Sequence, residues 1–171
     1  KVFWAPVVDR LPLPWLTSWL GKRRSWMLLG QLGVIGGIVL MVGIDPQTQL
    51  WWLALAAVLI AFFSATQDIA IDAYRIEAVI TEYQGAMSAT YVFGYRLAML
   101  VAGAGTLFIA EPSNWSFDIA LAEAWQLAYL SMAALMSVGV ITVLIVNEPE
   151  HKKDSATEQL EAEWVNDITH G

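Results

Sequence analysis

Four segments of the chain are each long and apolar enough to cross a lipid bilayer. They cover about residues 25–44, 50–73, 85–110 and 125–146, and a helix needs about 20 apolar residues to span the hydrocarbon core. Because a bilayer offers no water to backbone N–H and C=O groups, a spanning segment must satisfy these groups internally, as a helix does. The sequence therefore predicts an all-α membrane protein with four transmembrane helices.

The composition and its distribution along the chain agree with this class. Charged residues make up 15% of the chain, whereas a soluble domain carries about 25%. Residues 148–171 hold seven acids and two lysines, and residues 1–24 hold five basic residues and one acid. Most of the net negative charge thus belongs to residues 148–171, and the sequence shows no basic patch, so we expect no nucleic-acid partner. The absence of cysteine excludes disulfides and thiolate metal sites within the chain.

The basic residues predict how the helices are oriented. They precede the first segment, close the second and follow the fourth, whereas the connections at residues 45–49 and 111–124 contain none. Loops rich in lysine and arginine stay in the cytoplasm. We therefore expect residues 1–24, about 74–84 and 147–171 to be cytoplasmic and the other two connections to lie outside.

A polar stripe lies toward the inner end of the second segment. Residues 50–66 carry no charge, and Asp68, Asp72 and Arg75 then follow at spacings of four and three, which place them on one face of a helix. An ionisable group within a membrane span costs about 3 kcal/mol on insertion scales, so we interpret the stripe as functional. Counted from Trp51 as the outer anchor, Asp68 lies about 26 Å along the helix, in the inner part of the membrane.

Arg96 is the deepest charge, because it lies inside the third segment. Its long side chain can extend toward the interface, and we expect it to reach Asp68 on the neighbouring antiparallel helix, as a pair that protonation opens. Gln67 is a candidate to bond a substrate. Tyr91 and Tyr95, four residues apart, suit either stacking on a sugar or core packing. For the charged groups, anchoring at the membrane interface is the alternative.

Small residues in the first segment predict close helix packing. Gly33 and Gly37 form a small-x-x-x-small pair, with Gly30 and Gly36 beside them. Gln31 suits an interhelical hydrogen bond.

We find no pairing of a nucleophile with a base, no phosphate-binding loop and no metal motif in the sequence. We therefore expect a transporter without metal or cofactor, whose partners are a small-molecule substrate and the lipid bilayer, and not an enzyme. The alternative from another class is a non-transporting membrane protein whose charges anchor helices or bind a partner.

Four stretches of the chain carry a resemblance to a known family. They read FWAPVVDR at residues 3–10 with GKRR at 21–24, SATQDIAIDAYR at 64–75, GYRLAMLVAG at 94–103, and WQLAY at 125–129 leading to EPE at 148–150. In these residues, and in their spacing relative to the apolar segments, the chain resembles the AmpG muropeptide permeases of the major facilitator superfamily. The acetyl-coenzyme A transporters, or another major facilitator carrier, are the nearest rivals.

The resemblance implies twelve or more spans in two six-helix halves around a central cavity, with alternating access. We then expect the sequence to be a piece of a longer protein. Residues 1–146 would be part of the N-terminal six-helix bundle, namely the end of helix 2 and helices 3–6. Residues 147–171 would begin the central cytoplasmic loop. The capping-box pattern at residues 155–158 suits either a short helix in that loop or a solvated acidic linker.

The resemblance also implies an activity: import of N-acetylglucosaminyl-anhydro-N-acetylmuramyl peptides across the bacterial inner membrane. In that family the import is driven by the proton gradient and is linked to cell-wall recycling and beta-lactamase induction. The outer connections would then be periplasmic.

Site residues follow from the same resemblance. Asp68 and Asp72 would carry protons, with Gln67 on the same pathway, and Arg96 would pair with them or contact a substrate carboxylate. The cytoplasmic gate would comprise Asp9, Arg10, Arg24 and Arg75. The gate loop of the superfamily has a single residue between its Asp-Arg and Gly-Arg-Arg motifs, whereas residues 11–20 intervene here, so we expect an expanded loop.

Overall fold

The computed structural model describes residues 3–149, which form six α-helices. The capping-box pattern at residues 155–158 lies outside this part of the chain. Four of the six helices are long and apolar enough to cross a membrane, which confirms the predicted fold class. The helices are α1 (Ala5–Arg10), α2 (Leu16–Leu20), α3 (Lys22–Val42), α4 (Leu50–Ala78), α5 (Gln84–Ala110) and α6 (Leu121–Ile145).

The long helices differ from the predicted segments mainly at their ends. Helix α3 begins at Lys22, whereas the predicted segment begins near residue 25. Helix α4 continues to Ala78, beyond the predicted end at residue 73. Helix α6 begins at Leu121, before the predicted start at residue 125. Hydropathy marks the part of a helix that suits hydrocarbon, whereas the helix itself continues into polar residues beyond it.

Helix α3 lies at the centre of the bundle. It packs along α4 on one side and against α6 on the other, and α5 packs mainly on α6. Helices α4 and α5, although consecutive, are joined chiefly at one end, where Gln84 Nε2 donates to the carbonyls of Ile76 and Val79 at 3.2 and 3.3 Å. We call this end, where α3 begins and α4 and α6 end, the α1 end.

The predicted small-residue face of α3 is confirmed as the contact with α4. A Cβ added at Gly30 would lie 2.8 Å from Gln67 Cβ, and one at Gly33 would overlap the Phe63 ring. Gly36, by contrast, has nothing among residues 3–149 within 4 Å of such a Cβ. The paired positions run antiparallel along the two helices: Gly30 with Gln67, Gly33 with Phe63 and Gly37 with Ile60.

Aromatic residues fasten α1 to the bundle. Trp4 Nε1 donates to Thr66 Oγ1 of α4 at 3.0 Å, and the Trp4 ring meets the Trp26 ring edge-on at 6.4 Å. Trp26 in turn donates to the Leu11 carbonyl at 2.9 Å. Val8, which is fully buried, completes this cluster. The segment between α1 and α3 is therefore a folded part of the bundle, with α2 inside it.

Gln31 lies deep between α3 and α6. Its side chain is 3% exposed, and a Cβ added at Gly139 of α6 would lie 3.0 Å from Gln31 Nε2. Its Oε1 has no hydrogen-bond partner among residues 3–149. Gln31 therefore meets α6 by close packing, and its carbonyl oxygen does not make the interhelical hydrogen bond that the sequence suggested.

The α3–α4 connection is a turn held by Asp45. One carboxylate oxygen accepts from the Thr48 hydroxyl at 2.7 Å and the other from the Gln47 N–H at 3.0 Å. Because both bonds favour the ionised carboxylate, the Thr48 bond most, they hold the pKa of Asp45 below its usual value. The turn therefore lets α3 and α4 lie antiparallel.

The glycine contact predicts a position-specific effect on stability. Gly33→Ala would place a methyl group in the Phe63 ring and lower the stability of the whole natural protein by about 1–3 kcal/mol. Gly36→Ala, on the same helix but without a neighbour within 4 Å in the described part of the chain, is the matched control and would be neutral or stabilising by up to about 1 kcal/mol. Thermal unfolding of both variants in detergent measures the difference. Equal melting temperatures would contradict the packing of α3 on α4.

Candidate functional site

A buried arginine joins three helices at the α1 end. Arg23, near the start of α3, is 7% exposed. Its Nη1 lies 2.6 Å from Asp9 Oδ1 of α1, and its Nη2 lies 2.5 Å from Glu77 Oε1 near the end of α4. Arg23 Nε donates to both Glu77 oxygens at 3.0 and 3.1 Å. The planar guanidinium thus binds one carboxylate through two of its nitrogens and a second through the third, the geometry in which charged hydrogen bonds are strongest.

A third carboxylate at this end caps helix α3. Glu148 accepts from the backbone N–H groups of Arg23 at 2.7 Å and Arg24 at 3.1 Å. These belong to the first turn of α3, whose N–H groups have no partner within the helix and whose end carries a partial positive charge. Gly21 has a φ of +85°, and a Cβ there would lie 2.7 Å from Glu148 Oε2. Glycine is therefore required before α3 both for the backbone conformation and for space.

The end of α6 is held from the side by two further contacts. Arg24 donates to the carbonyls of Val143 at 2.8 Å and Leu144 at 2.7 Å, in the last turn of α6. The Tyr74 hydroxyl of α4 donates to the Asn147 carbonyl at 2.8 Å. A cation at a helix C-terminus satisfies carbonyls that have no partner within the helix. We call the residues that join the helix ends here the α1-end charge cluster: Asp9, Arg23, Arg24, Glu77 and Glu148.

Sequence reasoning found part of this cluster. Asp9 and Arg24 were predicted as gate residues, and the structure places both in it, whereas Arg10 lies exposed at the end of α1. Arg23, Glu77 and Glu148 were missed as site residues. The sequence did contain a signal for these residues. The positions of the basic residues predict that Arg23, Glu77 and Glu148 lie on the same side of the membrane, where the acids could pair with the arginine.

The polar stripe on α4 has two different surroundings. Asp68 and Gln67 are half-buried, and Gln67 packs against Gly30 of α3. Asp72 is more exposed and lies 3.5 Å from Arg75, with which it forms an ion pair one turn apart. The predicted shared face of Asp72 and Arg75 is therefore confirmed.

Arg75 also links α4 to α5. Its guanidinium carbon lies 4.7 Å from the centre of the Tyr91 ring, a cation–π contact. This contact shows how α4 and α5 are aligned along their lengths, with Arg75 about level with Tyr91. Since Asp68 precedes Arg75 by seven positions, it lies about 10 Å further along at 1.5 Å per residue, level with about residue 98 of α5. Arg96, near the middle of α5, is therefore at a similar depth and is exposed on that helix. The Asp68–Arg96 pair itself stays a prediction.

Known proteins resemble this chain over nearly its whole length. Residues 1–170 match the model of the Major Facilitator Superfamily. The anhydromuropeptide permease of Escherichia coli K12 is 40% identical over 149 residues, which are 87% of this chain and 28% of that protein. A Rickettsia felis protein named AmpG 4 is 35% identical over 165 residues, 96% of this chain and 38% of that protein. No solved structure matches the chain significantly.

The chain thus spans well under half the length of these relatives. Its four membrane-length helices and its match to the family model agree with each other. The chain belongs to the Major Facilitator Superfamily of membrane transporters, and its homologues include proteins named AmpG.

Proposed function

We propose that this chain is part of a proton-coupled transporter that imports anhydromuropeptides across the bacterial inner membrane by alternating access. The observation that carries the proposal is the 40% identity, over 87% of the chain, to a protein named anhydromuropeptide permease. The charged residues within membrane-length helices support a transport role, because ionisable groups at such depth commonly mark substrate or proton pathways. The energy would come from the proton gradient, without a cofactor.

Asp68 is our candidate for the proton-coupling group. It is half-buried on α4, beside Gln67 and at about the depth of Arg96. Protonation of a carboxylate weakens its attraction to a cation. In the proposed cycle, protonated Asp68 separates from Arg96 and permits the inward-facing state, and release of the proton to the cytoplasm restores the pair. Asp72 would pass the proton between Asp68 and the cytoplasm.

The α1-end charge cluster suits a cytoplasmic gate. It ties the ends of α1, α3, α4 and α6 through charged hydrogen bonds of 2.5–3.1 Å. Such contacts have a defined geometry, and a change of helix angle breaks them together. We therefore place the gate at this end, with Arg10 and Arg75 at its margin.

The orientation of the helices gives the first test. The 171 residues contain no cysteine, so an introduced cysteine is unique among them. A cysteine at the exposed Ser113, in the α5–α6 connection, would react with an impermeant maleimide added to intact spheroplasts. One at the exposed Ser18, on α2, would react only after the membrane is opened. Labelling in the reverse order would contradict the proposed orientation.

Proton coupling is tested at Asp68. In the whole natural protein, Asp68→Asn would abolish uptake driven by a pH gradient, because the amide binds no proton in the physiological range. Uptake of a radiolabelled disaccharide anhydromuropeptide into proteoliposomes measures this. Asp118→Asn, at an exposed position in the α5–α6 connection, is the control and would transport normally. Unchanged gradient-driven uptake by Asp68→Asn would remove Asp68 from the coupling pathway.

The pairing of Arg23 with Glu77, on which the proposed gate depends, is tested by substitution. Glu77→Gln would leave Arg23 with Asp9 as its remaining carboxylate partner, at a cost of about 1–3 kcal/mol in stability. Glu82→Gln, at an exposed position on the same side, is the control and would have little effect. Because the two groups act as a pair, Arg23→Gln combined with Glu77→Gln would cost less than the sum of the single changes. Additive losses in melting temperature would show that the two side chains act independently.

A further inference from the structure

Two tyrosines of α5 form a stacked pair next to the charged stripe. The Tyr91 and Tyr95 rings lie 6.5 Å apart with an angle of 26° between their planes. Arg75 lies over the Tyr91 ring at 4.7 Å and is itself 3.5 Å from Asp72. The order of groups is therefore carboxylate, guanidinium, first ring, second ring. The Tyr91 ring is therefore in contact with Arg75 of α4, and Tyr95 is the last group of the series.

Tyr95 is exposed where α4 and α5 separate. The two helices meet near Arg75 and Tyr91, but beyond that point α5 packs mainly on α6 and α4 mainly on α3. Tyr95 is 59% exposed in the described part of the protein, and Arg96 beside it is also exposed. An arginine near the middle of a membrane helix is costly against lipid, so this face suits a water-filled cavity or protein.

We infer that Tyr95, backed by Tyr91 and Arg75, is a stacking subsite for a sugar ring of the transported glycan. The inference rests on the proposed function and adds to it the residues that contact the carbohydrate. An aromatic face offers a flat apolar surface to the C–H face of a pyranose ring, and binding sites commonly combine such surfaces with a few polar groups. Arg96 supplies a neighbouring cation for a carboxylate of the attached peptide.

Removal of the aromatic ring can distinguish this subsite from simple helix packing. A second helix packed on Tyr95 would need only an apolar side chain of similar size, whereas a sugar ring needs the aromatic face. Stacking contacts are worth about 0.5–1.5 kcal/mol, a factor of about 2 to 13 in affinity. The glycan part of the substrate should therefore lose affinity when the ring is removed, and the peptide part should not.

The experiment uses the whole natural protein in proteoliposomes, with the radiolabelled disaccharide anhydromuropeptide as transported probe. The free disaccharide and the free peptide serve as competitors. Tyr95→Leu should raise KM and weaken inhibition by the disaccharide about fivefold, with maximal rate and inhibition by the peptide unchanged. Tyr95→Phe keeps the ring and should restore inhibition by the disaccharide relative to Tyr95→Leu. Phe93→Leu, which removes an aromatic ring 70% exposed on the same helix, is the matched control.

The outcomes separate this inference from the proposed function. If the unsubstituted protein transports the probe and Tyr95→Leu has the same KM and the same inhibition by disaccharide, the subsite is wrong and the transport function stands. Equal weakening of disaccharide and peptide inhibition would also overturn it, because it indicates a general packing role. If the unsubstituted protein neither transports nor binds the probe, the proposed function falls and the subsite with it. Should the leucine variant be absent from the membrane, Tyr95→Met provides the same comparison.

Discussion

The close approach of α3 to α4 is the contact on which the rest of the bundle depends. It needs glycine at three positions on α3, because the side chains of Gln67, Phe63 and Ile60 occupy the space that a Cβ would take. In a membrane, helices gain little from burying apolar surface, so small residues that allow backbones to approach provide much of the packing energy. With α4 on this face, α3 places its other side against α6. Helix α5 then reaches the bundle through α6.

The same helix organises the charges. Its first turn carries Arg23, whose guanidinium binds Asp9 and Glu77, and its N-terminal N–H groups bind Glu148. Residues far apart in the chain thus meet at one helix end. The partial positive charge of a helix N-terminus and the buried guanidinium both favour carboxylates at this place. The arrangement brings two acids to Arg23 and one to the helix end, so that each buried charge has a partner.

The polar groups of α4 lie in different surroundings along the helix. Glu77 belongs to the α1-end charge cluster, whereas Arg75, paired with Asp72, reaches α5 and meets Tyr91 there. Asp68 and Gln67 lie between the packed and the open sides of the helix, and Gln67 touches α3. A helix whose charges contact two different neighbours, α3 and α5, is suited to transmit a change in one contact to the other, because a rigid helix moves as a unit.

The sequence by itself determined the number and type of the long helices and the group of charges at the end of α4. It could do so because a bilayer forces each apolar segment to satisfy its own backbone hydrogen bonds, so that length and hydropathy suffice. The position of α3 between α4 and α6, and the choice of Arg23 over Arg24 or Arg10 as the buried partner of Asp9 and Glu77, came only from the tertiary structure. Adjacent arginines look alike in a sequence, but they point in directions about 100° apart on a helix. Only the placement of the neighbouring helices decides which of them meets a carboxylate and which meets the carbonyls of α6.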